Sequence, residues 1–300
     1  MALSSPVSVD AMNTREAVVS VGMPVFNGGR FLKEAIESFL RQEYRDFELI
    51  ISDNASTDDT GAICQAYASV DPRIRYVRNE TNIGVLDNFN QVLHLARGEY
   101  FMWAACDDIW EPGYILQLAG LLREDPQVVL AFCLFDHLDE QGRSVRAYPR
   151  IRPLFGVANR LVRANRCIWF PRQEGMANLV YGLSRTAVLK ELGGLRVFGR
   201  KDYGIDHLLI YRLALAGKFA YHDGLLFHKR QVAGSGTFND KRFGDWLEYR
   251  RLYQKITMLS PIPVVEKILL AISSNARLIV DAIGFVGRFA GSNFRKYLKR

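Results

Sequence analysis

The sequence Phe101-Met102-Trp103-Ala104-Ala105-Cys106-Asp107-Asp108 joins a run of apolar residues to two adjacent acids. Its apolar, aromatic-rich part is typical of a strand that is buried on both faces of a sheet. Two carboxylates would not be accepted in a protein core without partners. At the carboxyl edge of an open α/β sheet, such side chains usually face a ligand or a metal ion. Asp107 and Asp108 are therefore the first candidates for a functional site.

Strand and helix patterns alternate on both sides of this stretch. The first predicted strand, residues 18–23, is expected to end at Pro24, which cannot donate to a ladder. The second predicted strand, residues 47–52, runs into another acid, Asp53. Further strand patterns lie at 74–77 and 128–135. Helical patterns lie at 31–40, 85–96 and 112–124, and another helix is expected to follow the turn residues 54–59 and to run to about residue 68. This order predicts an α/β fold with a doubly wound, mostly parallel sheet that binds ligands at one edge.

The pattern is less regular after Phe135. Residues 146–175 hold seven arginines and one acid, and such a long connection is usually a functional lid or a disordered loop. The sequence next predicts a strand at 177–183, a helix at 184–192, a helix opened by 202–206 and closed by Gly217, and a strand at 219–228. A loop is expected to begin at 229–230, and the chain is predicted to be helical from about residue 241.

The composition is that of a soluble globular chain, with 300 residues, 49% hydrophobic and 24% charged, and a net charge of +7. The positive charge permits an anionic partner such as a nucleotide, a lipid pyrophosphate or an acidic membrane surface. The four cysteines have no CxxC spacing, which argues against a zinc site or a disulfide framework and fits a reducing compartment. The first residues lack the apolar segment of a signal peptide. Together these features predict a cytoplasmic protein.

The last predicted helix, which follows Pro263, is too often charged to span a bilayer. Its longest uncharged run, 268–276, is far shorter than the roughly 18 residues that a membrane span needs. Its apolar face is broad and its end is basic, so it could lie on the inner surface of a membrane. Packing of this helix on the protein is the alternative.

Two predicted strands end in carboxylates, Asp53 and the pair Asp107-Asp108, and both ends should face the same crevice. Acidic groups hold phosphates through a divalent metal ion, which prefers carboxylate and phosphate oxygens. A carboxylate can also accept from a base N–H or a ribose hydroxyl. The sequence has neither GxGxxG after the first strand nor GxxxxGK[ST]. The chemistry indicated is a nucleoside diphosphate held by a metal ion.

Several stretches, taken in order, carry a resemblance to a known family. They are "VSVGMPVFNGGRFLKEAIESFLRQ", "FELIISDNASTDDT" and "NIGVLDNFNQVLHLARGEYFMWAACDD", followed by the looser matches "YGLSRTAVLKELGG", "DYGIDHLLIYRLALAGKFA" and "LLFHKRQVAGSG". This chain resembles the family 2 glycosyltransferases with a GT-A fold, closely over residues 17–125 and loosely to about 237.

The resemblance implies a role for each matching residue. Asp206 matches the acid of the acceptor half that serves as catalytic base in inverting members. Asp108 matches the metal ligand of the DxD-type motif, and Asp107 matches its neighbour near the ribose. The other positions that match nucleotide-sugar contacts, from the base to the diphosphate, are Pro24, Phe26, Asn27, Asp53, Asn82, Gly84, His228 and Arg230.

The resemblance also implies an activity and a division of the chain. The activity is transfer of a sugar from a nucleotide-sugar, with Mg²⁺ or Mn²⁺, to a hydroxyl of a glycan or lipid-linked glycan with inversion, as in the synthesis of cell-surface polysaccharides. The division is a disordered leader (1–16), a nucleotide-sugar-binding half (17–135), an acceptor-binding half (136–237) and a helical extension (238–300).

Two positions depart from the family pattern. The first aspartate of the usual DxD is replaced by Ala105, and His-Pro-Gly-Ser in similar members reads Val-Ala-Gly-Ser from Val232. These departures leave open a nucleotide-sugar-binding protein with weakened catalysis. A nucleotidyltransferase is the other alternative, although it should have a basic, Gly-rich loop straight after the first strand. Nucleic-acid binding is not expected, because no sheet or helix platform presents the arginines of 146–175 with aromatic residues.

Each candidate residue also has a simpler interpretation. Asp107-Asp108 and Asp206 could cap the N-termini of helices, where acids are favoured. Asp53 could cap a turn, and His228 and Arg230 could be a solvated basic pair after a strand. For Asp107-Asp108 and Asp53, the strand ends at one edge favour the functional interpretation. For Asp206 the sequence alone favours the helix cap, and it is the resemblance that favours a catalytic base.

Overall fold

The computed structural model describes residues 18–170, 175–199, 204–232 and 243–297, so the predicted leader lies outside the described residues. Within these ranges, nine strands form one sheet. In chain order the strands are β1 (Val19–Val25), β2 (Phe47–Asp53), β3 (Ile74–Arg78), β4 (Tyr100–Trp103), β5 (Ile109–Trp110), β6 (Val128–Leu138), β7 (Ser144–Ala147), β8 (Leu183–Arg185) and β9 (Lys218–Arg230).

Helices cover and connect these strands. The α-helices are α1 (Gly29–Leu40), α2 (Thr60–Val70), α3 (Val85–Leu95), α4 (Tyr114–Glu124), α5 (Arg160–Trp169), α6 (Thr186–Glu191), α7 (Ile205–Ala216), α8 (Phe243–Leu259) and α9 (Val264–Tyr297). Two short 3₁₀ helices lie at Pro149–Leu154 and Met176–Tyr181. None of the helices described here is long and apolar enough to cross a membrane.

The order of strands across the sheet is β3-β2-β1-β4-β8-β6-β9-β5, with β7 paired to β6. The pairs among β3, β2, β1 and β4 are parallel, and so is the pair of β6 and β9. Strand β8 is antiparallel to both β4 and β6, which gives β4 and β6 the same direction. The predicted α/β fold with a mostly parallel sheet is thus confirmed.

The interior of the sheet explains why these segments become strands. All residues of β1 and β4 are buried, as the apolar sequence of each predicts. Apolar side chains of α1, spaced three and four apart, pack on the sheet, among them Leu32, Ile36 and Phe39. Burial on both faces fixes the register, which places the ends of β1, β2 and β4 at the same edge.

Pro24 lies inside β1 rather than ending it, so that prediction is wrong. The Gly22 carbonyl accepts from Ala104 N–H on the β4 side, and the Val25 carbonyl accepts from Asn54 N–H on the β2 side. Backbone groups alternate sides along a strand, so the nitrogen of Pro24 faces the β4 side. Because β4 has already ended at Trp103, no ladder hydrogen bond is lost there.

Two other predictions in the second half are corrected. The strand predicted at 177–183 is a 3₁₀ helix followed by the short β8; its buried Met176, Leu179 and Val180 have helical spacing. The pair 229–230 ends β9 and does not begin a loop. The first error arises because short apolar runs fit strands and helices equally well. The second arises because the charge of Lys229 and Arg230 suggests a loop, whereas their backbones still pair with β6.

The described part of the arginine-rich segment 146–175 is not a disordered loop. It contains α5, whose Arg163 is buried. The guanidinium of Arg163 donates to the carbonyls of Ala214 and Val157, each at 2.7 Å. Residues 171–174 of this segment lie outside the described residues. Arginine here satisfies carbonyl groups at helix and loop ends, a use that composition alone does not reveal.

The strands of the two predicted halves share one sheet. Strand β6 continues past residue 135, the predicted end of the first half, as far as Leu138. The two-residue strand β5, which follows the Asp107-Asp108 turn, pairs with β9, and β8 lies between β4 and β6.

Candidate active site at the carboxyl edge of the sheet

The ends of β1 and β2 lie side by side, because Val25 is paired with Asp53. Asp53 is fully buried. Its Oδ1 accepts from the Ser56 N–H at 2.8 Å, and its Oδ2 accepts from the Tyr76 hydroxyl at 2.8 Å. The Arg78 guanidinium, which is 45% exposed, contacts the same Oδ2 at 2.5 Å. The acid predicted to read the base is therefore anchored inside the protein, with Arg78 as its exposed partner.

These contacts set the charge of Asp53. Burial alone would raise its pKa, but the hydrogen bonds from Ser56 and Tyr76 and the charge of Arg78 outweigh burial and lower the pKa of Asp53 below its ordinary value. Asp53 is consequently an anion at neutral pH. Its charge is compensated by Arg78, and the pair forms a polar wall at the end of β2.

Asn54, the next residue, joins this edge to the turn that contains Asn82 and Gly84. Its Nδ2 donates to Asn82 Oδ1 at 2.9 Å and to the Gly84 carbonyl at 3.2 Å. Its Oδ1 accepts from the Ile83 N–H at 2.9 Å. Gly84, with a φ of 87°, provides the backbone conformation that leads into α3. The two turn residues predicted to contact the nucleotide are thus held next to Asp53.

The loop after β1 holds the other predicted base contacts. Phe26 is 50% exposed at the edge of the sheet, whereas Pro24 belongs to the buried β1. Asn27 has a φ of 50°, a left-handed conformation that asparagine tolerates better than most residues. Asn27 Oδ1 accepts from the Thr57 N–H at 2.8 Å, which ties this loop to the loop after β2. Phe26 is therefore the side chain of this loop that is free to stack on a ligand.

Gly28 brings the same loop against the turn that follows β4. A Cβ added at Gly28 would lie 2.8 Å from Cys106 Sγ and 2.6 Å from Val25 Cγ2, so a larger residue does not fit. The neighbouring side chain of Asp107 is partly exposed, while that of Asp108 is fully buried. The loops of three strands, β1, β2 and β4, therefore meet at one edge, as the sequence predicts.

The burial of Asp108 separates the two adjacent acids. Its Oδ1 accepts from the Arg230 N–H at 2.8 Å, and its Oδ2 lacks a hydrogen-bond partner among the described residues. The nearest charge to Oδ2 is the Lys229 ammonium, at 3.6 Å. Burial, with a smaller contribution from Asp107, raises the pKa of Asp108 to about 6 against the lowering effect of the Lys229 charge. Asp108 is thus a buried acid whose charge is compensated by the partly exposed Lys229.

Lys229 is held by aromatic as well as acidic groups. Its Nζ lies 4.5 Å from the centre of the Tyr181 ring and 3.4 Å from the Tyr181 hydroxyl. Burial alone would lower the pKa of Lys229, but the charge of Asp108, together with Tyr181 and Asp107, raises it above its ordinary value. An ammonium in this position is charged at neutral pH and lies at the junction of β4, β9 and the 3₁₀ helix that contains Tyr181.

Arg230 fastens the Asp107-Asp108 turn to the rest of the protein. Its Nε donates to the Asp107 carbonyl at 3.0 Å, and its Nη2 donates to Glu34 Oε2 at 2.6 Å. The guanidinium also lies over the ring of Phe31, 4.4 Å from its centre. Arg230 is 5% exposed. The structure therefore places it behind the turn, although the resemblance implies a contact with the diphosphate.

His228 is likewise committed to the protein. Its Nδ1 lies 2.7 Å from Asp136 Oδ1, and its Nε2 lies 3.1 Å from Glu111 Oε1. Both ring nitrogens thus face carboxylates, and neither is directed to a ligand. Its predicted contact with the diphosphate gains no support from this geometry.

Asp206 lies in the first turn of α7. Its Oδ1 accepts from the His207 N–H at 2.8 Å and lies 3.1 Å from His207 Nδ1, and its side chain is 31% exposed. Residues 200–203, directly before this helix, lie outside the described part. The N-cap of α7 is Gly204, so Asp206 is an acid of the first turn and not the cap residue; its catalytic role stays a prediction.

The burial of the two acids favours Asp107 over the predicted Asp108 as a metal ligand, although the buried Asp108 Oδ2 has no hydrogen-bond partner among the described residues. No group of three or more His, Cys, Asp or Glu side chains in the described ranges could hold a metal ion by itself. Mg²⁺ commonly binds one or two carboxylates and completes its shell with substrate phosphates and water. Asp107, partly exposed at the strand end, suits this arrangement. Asp108 does not, because it is enclosed and already faces the Lys229 ammonium.

Four residues of this edge escaped the prediction from sequence, namely Asn54, Tyr76, Arg78 and Lys229. Asn54 stands beside Asp53 in the quoted motif, and its amide could have been expected to bridge two turns. Arg78 ends a strand parallel to β2, so its position at the same edge was also readable. Lys229 comes next to Asp108 only through the pairing of β5 with β9, which the sequence does not indicate.

The comparisons with known proteins agree with this fold and edge. The model of the family "Glycosyl transferase family 2" matches residues 20–174, slightly more than half of the chain. The chain belongs to this family of glycosyltransferases.

Glycosyltransferase GlyG of Streptococcus pneumoniae serotype 4 is 35% identical over 114 residues, which are 38% of this chain and 38% of that protein. The putative colanic acid biosynthesis glycosyl transferase WcaA of Escherichia coli K12 is 35% identical over 139 residues, 46% of this chain and 48% of that protein. The matches thus span less than half the length of these relatives.

Solved structures show the same fold at low sequence identity. TarS 1-349 of S. aureus in complex with UDP-GlcNAc has a TM-score of 0.64 and 20% identity, and the match covers 85% of this chain and 71% of TarS. The mannosyltransferase PcManGT from Pyrobaculum calidifontis in complex with GDP-Man and Mn²⁺ has a TM-score of 0.57 and 16% identity, with 93% and 81% covered. The fold is therefore the GT-A fold of these enzymes, as the resemblance implies.

Proposed function

We propose that this protein transfers a sugar from a nucleoside diphosphate sugar to an acceptor hydroxyl. The observation that carries the proposal is the meeting of the β1, β2 and β4 loops at one edge of a GT-A sheet, with Asp53, Phe26 and Asp107 on it. Ligands of open α/β sheets bind at such an edge. TarS, which shares the fold, is described in complex with UDP-GlcNAc, and this supports a nucleotide-sugar as the donor.

The nucleoside would lie on the β1–β2 side of the edge. Phe26 is an exposed aromatic ring. Aromatic side chains commonly stack on bases, and Phe26 can do so here. Asp53 is fully buried and its oxygens accept from Ser56, Tyr76 and Arg78, so it would act on the base through Arg78, whose exposed guanidinium can donate to an acceptor of the base edge. Asn82 and Gly84 would border the nucleotide from the turn that Asn54 holds.

The diphosphate would lie nearer to Asp107. A divalent cation, Mg²⁺ or Mn²⁺, would bind Asp107 together with the donor and supply positive charge that offsets the charge of the departing diphosphate. PcManGT, with the same fold, is described with Mn²⁺. The residues Lys229 and Arg230 keep the Asp107-Asp108 turn in place through Asp108 and the Asp107 carbonyl. Their contribution to the site is therefore to position Asp107.

Asp206 would accept the proton of the acceptor hydroxyl as the hydroxyl oxygen bonds to the anomeric carbon. The bond from that carbon to the diphosphate oxygen breaks in the same step, and a single displacement inverts the anomeric configuration. The His207 N–H holds one Asp206 oxygen, while the side chain stays 31% exposed and can reach a hydroxyl. The relative WcaA is named for colanic acid biosynthesis, which supports a glycan or a lipid-linked glycan as the acceptor.

A donor screen followed by product analysis tests the proposal. The full chain with Mn²⁺ should be stabilised against heat by one or a few nucleotide-sugars, because a ligand that binds only the folded state raises the melting temperature. With that donor, slow release of free sugar and nucleoside diphosphate is expected even without an acceptor. Release of pyrophosphate from a nucleoside triphosphate and a sugar phosphate would instead identify a nucleotidyltransferase. Stabilisation without any turnover would identify a binding protein that has lost catalysis.

A further inference from the structure

Helix α9 has its apolar side on the outside. Ten residues between 264 and 283 are exposed, and nine of these are apolar, with Asn275 as the exception. The large ones are 45% to 70% exposed; they are Val264, Val265, Ile268, Leu269, Ile272, Ile279, Val280 and Ile283. A surface helix normally turns its apolar stripe towards the core. We call these eight side chains the outer face of α9.

The two acids of α9 are directed at the protein instead. Glu266 pairs with Arg160 of α5 at 2.8 Å. Asp281 lies 2.8 Å from Arg250 of α8 and 3.0 Å from Arg277 of its own helix. The charged groups therefore fasten α9 to α5 and α8, and the apolar side is left outward by this attachment.

Polar contacts of the α5 end extend the same attachment. Trp169 Nε1 donates to Ser273 Oγ at 2.8 Å, and the Arg277 guanidinium donates to the Trp169 carbonyl at 2.8 Å. Ser274, one position further along the helix, is 2% exposed. Turning the outer face inward would break these contacts and the ion pairs of Glu266 and Asp281. The outward orientation is thus determined by several independent contacts.

The outer face continues onto the end of α8. Met258 is 50% exposed and Leu259 is 69% exposed, and both directly precede the turn into α9. The stripe from 264 to 283 is about 30 Å long, since a helix rises about 1.5 Å per residue. Exposed apolar surfaces of this kind mark sites of association with a partner or a membrane.

The charge of the following residues identifies the partner. Residues 284–300 contain five basic residues and no acidic one, with Phe285, Phe289 and Phe294 between them. Aromatic and basic residues next to an apolar helix face are the combination found in helices that lie in the surface of an anionic membrane. A second copy of the chain would bring the same basic segment and add repulsion. We propose that the outer face of α9 docks flat on a bilayer that contains anionic lipids.

This mode of binding differs from insertion across the membrane. The ion pairs of Glu266 and Asp281 hold the polar side of α9 against α5 and α8, so only the outer face can enter the lipid. Both the apolar contact and the attraction of the basic residues contribute, and the second is weakened by salt.

The test is co-sedimentation of the full chain with vesicles. Vesicles of phosphatidylcholine mixed with phosphatidylglycerol are compared with vesicles of phosphatidylcholine alone, at low and high salt. The variant Ile268→Ser/Ile272→Ser removes two side chains of the outer face. Its matched control is Val70→Ser/Val145→Ser, which removes two exposed apolar residues elsewhere, 76% and 53% exposed.

We expect the wild type and the control to bind the anionic vesicles, more weakly at high salt, and the α9 variant to lose at least about tenfold in partitioning. Circular dichroism, melting temperature and donor stabilisation should be unchanged in the variant, which separates a lost contact from a lost fold. Equal binding of the α9 variant and the wild type would overturn the proposal. The proposal would also be overturned if the wild type did not bind anionic vesicles and instead formed a dimer in solution that the α9 variant cannot form.

Discussion

The Lys229 ammonium lies 3.6 Å from Asp108 Oδ2, whereas the adjacent Asp107 side chain stays partly exposed. Two neighbouring acids thus have different environments: Asp108 is fully buried beside Lys229, and Asp107 is partly exposed. We therefore expect replacement of Asp107 to change the response to metal, and replacement of Asp108 to change the dependence of stability on pH. The resemblance alone assigns the metal to Asp108, and the burial of that residue favours Asp107.

Replacing Asp107 should remove the response of the site to metal. In Asp107→Asn, we expect the stabilisation by a nucleotide-sugar to be the same with Mn²⁺ and with EDTA, and donor affinity with Mn²⁺ to fall about tenfold or more, since a charged ligand is lost. The measurement is thermal stabilisation across a donor titration. Glu111→Gln, in which a nearby exposed acid is changed, serves as the control. A variant that keeps the full Mn²⁺ response would contradict the assignment to Asp107.

Replacing Asp108 should change the dependence of stability on pH. Its folded-state pKa of about 6 lies above the ordinary 3.8, so the folded state binds more protons than the unfolded state between these values. Below about pH 4, Asp108 therefore does not lower the free energy of unfolding. As the pH rises, it lowers this free energy increasingly, and the effect is complete above about pH 6. Relative to wild type, Asp108→Asn should gain stability over that window, by at most about 3 kcal/mol, because one pKa unit is about 1.4 kcal/mol.

Urea unfolding of wild type and Asp108→Asn at a series of pH values measures this difference. The difference in unfolding free energy should be flat above about pH 7, because Asp108 is then ionised in both states. The variant also leaves Lys229 without its acid, which lowers stability by a constant amount in this range. A difference that is independent of pH from 4 to 7 would show that Asp108 does not titrate as its burial requires.

Removing Arg78 should weaken donor binding more than it weakens the fold. In Arg78→Met, the fully buried Asp53 loses its cation, and its pKa should rise as a result. We expect about tenfold weaker binding of the nucleoside diphosphate, measured by calorimetry. Arg73→Met is the matched control, because Arg73 pairs with Asp71 beside the opposite end of β3. Equal loss of affinity in both variants would indicate a general effect of charge.

Asn54 should matter for the stability of the edge and for nucleotide affinity together. Asn54→Ala leaves the Ile83 N–H without its acceptor and removes one of two hydrogen bonds each from Asn82 Oδ1 and the Gly84 carbonyl, which should cost about 2 kcal/mol of unfolding free energy. Donor affinity should fall as well, since the turn borders the site. As a control, Asn90→Ala on α3 removes two hydrogen bonds to Leu195 and should lower stability without changing donor affinity. Unchanged donor affinity in Asn54→Ala would separate this turn from the nucleotide.

Asp206 should affect turnover and not donor binding. With the donor and acceptor found by screening, we expect Asp206→Asn to lower kcat by about a hundredfold or more while the donor affinity stays the same, because a general base acts in the chemical step. The side chain of Asn can still accept from the His207 N–H, so the helix start is preserved. A variant with wild-type kcat would leave Asp206 as an acid of the first helical turn without a catalytic role.

The fold was largely readable from the sequence because strong local patterns agreed with one another. Strands β1, β2 and β4 are mostly apolar and buried, and α1 has the spacing of a one-sided helix. The edge that carries Asp53 and Asp107 follows from parallel strands alone. Errors came from short elements such as β8, three residues long, whose pairing depends on residues far away in the chain.

The details of the candidate site were less readable, since sequence order does not say which acid is buried. Asp107 and Asp108 are equivalent in the sequence, and only the pairing of β5 with β9 brings Lys229 over one of them. His228 was assigned to a ligand, but Asp136 and Glu111 take its nitrogens. The orientation of α9 was also left open, because its amphipathic pattern does not state which side meets the protein.

The interleaving of β8 between β4 and β6, and of β5 beside β9, has a consequence for building chimaeras. An exchange of the acceptor region at residue 135 would cut β6 and replace the neighbours of β4 and β5 at the same time. New acceptor specificity is therefore better sought by grafting loops onto the intact sheet than by recombining halves of relatives. A crossover placed in the loop between β7 and α5 would leave β6 whole but would still require β8 and β9 to match the strands of the recipient.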